Sequence, residues 1–154
     1  MPTPTHTQSS GPELLVDLRL PPDQTSPARA RHALNPLHRR FDPDTLFKLR
    51  LLVSELVTNS VRHAHLDRQD LISVRVLVEP RALRVEVLDA GSGFPPQVAV
   101  LAKRGWHIQR AADPDRPGGW GLGIVDTLAD SWGVVSNDLT TVWFELRLEA
   151  PDRS

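Results

Sequence analysis

Apolar and polar positions alternate from Leu14 to Leu20, with Leu14, Val16, Leu18 and Leu20 set between Leu15, Asp17 and Arg19. A period of two predicts a half-buried strand whose inward face is the first set. Ser26 then precedes Pro27, a cap residue before a proline suited to the first helical position, which predicts a helix through about Leu34. From Asp44 to Ala64 the spacing changes to three and four. Leu49, Leu52, Val53, Leu56, Val57, Ser60 and Val61 form one small-to-apolar stripe, the signature of an amphipathic helix. Two strands follow, Ile72–Val78 and Leu83–Leu88, broken at Pro80-Arg81 as in a hairpin. Leu122 to Ala129 reads as a helix opened by glycines, and Thr141 to Leu148 as a strand turning Val142, Phe144, Leu146 and Leu148 inward.

A hairpin with long helices before and after it predicts an α+β fold. The expected form is a two-layer α/β sandwich, a mixed and mostly antiparallel sheet with helices on one face. The fourteen prolines sharpen the boundaries, because none lies between Asp44 and Glu79 or between Gly118 and Ala150. Proline breaks helix interiors and central strands, so regular structure is continuous in those two stretches. Residues 1–12 read as a disordered polar tail, 13–149 as one domain and 150–154 as a second tail. Pro95 to Pro117 is long for a connection in a compact domain, which suggests a lid or binding segment.

With 18 basic and 19 acidic side chains the formal charge is -1. No field of one sign is available to recruit nucleic acid or an anionic membrane, so neither is expected as a direct partner. The absence of cysteine removes disulfides, thiolate metal sites and a thiol nucleophile. No signal peptide or apolar run of roughly 18 residues is seen, and a cytoplasmic location is expected.

Three clusters carry candidate chemistry. Glu55, Asn59 and His63 recur every four residues and so project from one helical face, which meets either a ligand or solvent. Asp89-Ala90-Gly91-Ser92-Gly93 ends an alternating strand, where glycines permit close backbone approach and a carboxylate can accept hydrogen bonds from an amine. An ordinary turn reads the same way. Gly118-Gly119-Trp120-Gly121-Leu122-Gly123 leads into a helix and offers backbone amides suited to phosphate. It matches neither the GxxxxGK[ST] loop nor the strand–GxGxxG–helix arrangement. His63 and His65 are two apart, unlike the paired ligands of a zinc helix.

In this order and separation the clusters resemble the nucleotide site of the GHKL superfamily, which includes gyrase B and the sensor histidine kinases. Within it, the likeness is to the anti-sigma factor serine/threonine kinases. Glu55-Leu56-Val57-Thr58-Asn59 with His63 resembles their N box, and Asp89-Ala90-Gly91-Ser92-Gly93 their first glycine box. Gly119-Trp120-Gly121-Leu122-Gly123 resembles the second glycine box, and Thr140-Thr141-Val142-Trp143-Phe144 the closing strand. The resemblance implies a Bergerat-type ATP-binding fold in which Asp89 accepts the adenine amine and Thr141 supports the same pocket. It implies that Asn59 ligates Mg²⁺ on the ATP phosphates, that His63 lies beside them, and that Glu55 acts as the base. Gly91 and Gly93 would approach the base and ribose. Gly119, Gly121, Leu122 and Gly123 would wrap the phosphates under a lid holding Arg104, Arg110, Arg116 and Trp106. A sigma factor and an anti-anti-sigma antagonist are the implied protein partners, and homodimerisation is implied as well. Thr140 stands where the family often has glycine. Two further functions use the same motifs: a nucleotide-sensing module without kinase activity, and a detached histidine-kinase catalytic domain.

Overall fold

A computed structural model describes residues 11–91, 122–136 and 138–149. The described residues form five strands and three helices: β1 (Glu13–Leu20), α1 (Ser26–Ala33), α2 (Pro43–His63), β2 (Ile72–Glu79), β3 (Ala82–Asp89), α3 (Leu122–Leu128), β4 (Ser131–Ser136) and β5 (Thr140–Arg147). A short 3-10 turn, Asn35–Arg39, links α1 to α2. The strands form one sheet in the order β1-β2-β3-β5-β4. All four pairings are antiparallel, so the α+β sandwich is as expected, while its sheet among the described residues is antiparallel and not mixed.

Strict alternation puts Ile72, Val74 and Val76 of β2, Leu83, Val85 and Val87 of β3, and Val142, Phe144 and Leu146 of β5 on one buried face. Against it lie Leu49, Leu52, Val53, Leu56 and Val57, the stripe read from the spacing of α2. The helix starts firmly because Asp42 caps it, accepting from the Thr45 backbone N–H at 2.9 Å and the Thr45 hydroxyl at 2.6 Å, ahead of Pro43 in the first turn. It stops at Ala64, and His65 follows with a left-handed φ of 51°, the conformation that commonly ends a helix. This long helix touches β2, β3 and β5, while α1 covers β1 and α3 covers β4. The opposite face of the sheet carries a polar ladder. Arg84 lies 4.3 Å over the Trp143 ring and reaches Glu86 at 3.1 Å and Glu145 at 2.9 Å, so the face away from the helices is charged and cross-linked between strands.

Three local expectations are revised. Leu14 does not face inward: a bulge between Leu14 and Val16 inserts Leu15, moves Leu14 to the other face and leaves it 47% exposed. One extra residue inverts every side chain beyond it. Ser26 is not the cap of α1; that position is Thr25, which makes no side-chain cap bond, and the fully buried Ser26 hydroxyl instead donates to the Pro21 carbonyl. β4 is additional to the strands read from the sequence. Among the described residues no helix is long and apolar enough to cross a membrane.

Candidate functional site

The carboxyl ends of α2 and β3 meet the start of β5. Glu55 and Asn59, one turn apart on α2, are both half-buried, so their shared face is not simply solvated. Next to Asn59, Ser60 is turned inward and is 7% exposed. Its hydroxyl donates to Oδ2 of Asp89 at 2.7 Å. Asp89 is the last residue of β3 and equally buried; its Oδ1 accepts from the backbone N–H of Gly91 at 2.9 Å. The Gly91 carbonyl accepts in turn from the Thr140 hydroxyl at 2.8 Å. Four hydrogen-bonding groups therefore tie α2, the end of β3, the following turn and β5 into one buried cluster.

Burial pushes the Asp89 carboxyl above the ordinary carboxylate range, and the bonds from Ser60 and Gly91 pull it part of the way back. The site thus holds a carboxylate at a cost that ordinary packing does not require, a frequent property of functional groups.

Gly91 is demanded by its neighbours. A Cβ built there would lie 2.3 Å from the Ala64 carbonyl oxygen and 2.4 Å from the Ala64 Cβ, closer than real atoms approach. The end of α2 can pack against the turn only because residue 91 has no side chain. Gly91→Ala is therefore expected to destabilise the fold by about 1–3 kcal/mol, read as a melting temperature lower by several degrees. Gly11→Ala, where a Cβ meets nothing within 4 Å, is the control that should leave it unchanged.

The expected role of Thr141 is corrected by the sheet register. Asp89 pairs with Thr140, whereas Thr141 pairs with Leu88. Neighbouring strand residues point to opposite faces, so Thr140, 1% exposed, shares the Asp89 face and Thr141 lies on the other. Leu122, buried, and Gly123 open α3, and a Cβ on Gly123 meets no described atom within 4 Å. The helix is fixed by Asp126, whose Oδ1 accepts from the Trp132 indole N–H at 2.9 Å. His63 closes α2, but its side chain, together with Gly93, Gly119, Gly121, the lid arginines, Trp106 and Trp120, lies outside the described residues, as do the first ten residues and the final five.

Residues 20–146, which include the whole of this cluster, match the histidine kinase-like ATPase domain. The chain belongs to that family. As a histidine kinase-like ATPase domain it is similar to proteins named serine-protein kinase RsbW. Identity is 30% over 118 residues with one from Listeria monocytogenes, covering 75% of each chain. With one from Bacillus velezensis it is 29% over 130 residues, covering 82% of this chain and 81% of the relative. With one from Oceanobacillus iheyensis it is 24% over 118 residues, or 75% of each.

Sequence reasoning missed two members of this ATPase domain's buried cluster. Ser60 had a signal, since it is the single hydroxyl in an apolar stripe, but a serine there also passes for a small core residue. Thr140 and Thr141 are adjacent and chemically alike, so nothing local separates them.

Proposed function

We propose that residues 13–149 form an Mg·ATP-dependent serine/threonine protein kinase domain that phosphorylates an anti-anti-sigma antagonist and, in another state, sequesters a sigma factor. The observation that carries this reading is the placing of Glu55 one turn before Asn59 on the helix that also holds Ser60 against Asp89. A module that only binds nucleotide has no need of that carboxylate. The relatives named serine-protein kinase support serine as the acceptor.

In this reading Asp89 accepts the adenine 6-amino group and Thr140 steadies the turn beneath the base. Mg²⁺ prefers few protein oxygens plus substrate phosphates, and the Asn59 side-chain oxygen on α2 is a donor of that kind. Asn59 would hold the ion, which supplies charge neutralisation at the phosphates. Glu55 takes the proton from the incoming serine hydroxyl. The serine oxygen then bonds to the γ-phosphorus as the bond to the bridging oxygen breaks and ADP leaves. Gly119, Gly121, Leu122 and Gly123 would surround the phosphates, with His63 and Gly93 at the edges of the pocket.

The test is incubation with γ-labelled ATP, Mg²⁺ and candidate anti-anti-sigma proteins. Acid-stable label on serine is the expected result. Acid-labile label on histidine would instead mark a detached histidine-kinase domain, and ATP-dependent partner capture with no transfer to any cognate antagonist would mark a nucleotide-sensing module.

A further inference from the structure

We infer that Ser60 is a positioning residue for base selectivity: through its hydrogen bond it aims the Asp89 carboxylate at the exocyclic amine of the nucleotide. The inference rests on the reading of Asp89 as the adenine acceptor. A carboxylate on a short side chain rotates broadly about its last torsion, with only two-fold preference. At Asp89 that rotation is stopped from two sides, by Gly91 N–H on Oδ1 and by Ser60 Oγ on Oδ2. Each oxygen retains a further lone pair, and the direction of those lone pairs is set by the two donors.

The donors come from different elements. The Gly91 amide belongs to the same turn as Asp89, whereas Ser60 stands in the last turn of a 21-residue helix packed across three strands. Ser60 is therefore the donor that ties the carboxylate to α2. Its neighbour Asn59 is the residue assigned to the metal, so one turn of α2 sets both ends of the nucleotide, the amine at one and the phosphates at the other. Purely structural satisfaction of a buried acid predicts a different outcome from aiming, because only aiming depends on the ligand's amine.

The experiment compares equilibrium affinity for ATP and for purine riboside triphosphate, which lacks the 6-amino group, in the full chain and in Ser60→Ala. Alanine is a strong helix former and removes one atom, so α2 is retained. Expected is a loss of about 2- to 13-fold for ATP, the range of one hydrogen bond, with the analogue unchanged within about twofold and the preference between them correspondingly reduced. In an Asp89→Asn background, Ser60→Ala should then have no further effect on the preference. Equal losses for both nucleotides, or no loss for either, overturn the inference while leaving ATP binding intact. Failure of the underlying reading has another appearance: the unmodified chain then binds neither nucleotide, or binds both without preference, and the inference falls with it.

Discussion

Glu55→Ala is expected to lower phosphoryl transfer to a protein serine by about 10²- to 10⁴-fold, the usual contribution of a positioned general base. ATP affinity should stay within about threefold, because a base that acts on the acceptor hydroxyl makes its contribution only in the transition state. The fold should survive. Glu55 is half-buried and lies off the Leu52, Val53, Leu56 and Val57 stripe that holds α2 to the sheet. Glu55→Gln separates shape from basicity: it keeps the length and polarity of the side chain but accepts no proton, and so should lose as much activity as alanine. Single-turnover transfer from labelled ATP alongside equilibrium nucleotide binding measures both quantities. Unchanged transfer in either variant would remove Glu55 from the mechanism.

Asp89→Asn should act in opposite directions on ligand and fold. Loss of the charged acceptor is expected to weaken ATP by roughly 10- to 150-fold, the range for a hydrogen bond to an ionised group. The unliganded protein should nevertheless become more stable at neutral pH. Burial raises the Asp89 carboxyl above its ordinary value of 3.8, so the folded state favours the protonated form. Its contribution to stability is complete below about 3.8 and is lost as pH rises through the higher folded value. Asparagine remains neutral throughout and escapes that loss. Its amide oxygen can accept from Gly91, and its amino group can donate to Ser60 once the serine hydroxyl turns. Thermal melts should show the variant above the unmodified chain at pH 7, with the gap closing towards pH 3. A variant that is less stable at pH 7 would mean that the charge is better compensated than the burial of Asp89 implies.

These two acids also mark how far the site could be read before the fold was known. The residues of the α2 face and of the turn after β3 were legible because each is local: Glu55 and Asn59 are one helical turn apart, and Asp89 closes an alternating run. The contacts that make them a site are not local. Ser60 meets Asp89 across 29 residues and Thr140 meets Gly91 across 49. Ser60 falls in the apolar stripe of α2 and Thr140 in the alternation of β5, so periodicity turns each inward without saying what it meets.

The spacing of apolar residues by itself determined α2, the β2–β3 hairpin and the α+β class, since helical and strand periods are properties of consecutive residues. Tertiary pairing decided what periodicity leaves degenerate. The register with β3 chose Thr140 over Thr141, and the bulge at Leu15 turned Leu14 outward. Pairing with β5 made an edge strand of Ser131–Ser136, a segment interrupted by Gly133 and too short to show a clear alternation. In each case the face of a strand is set by its neighbour, and a shift of one residue costs nothing until a buried core lies on one side of the sheet.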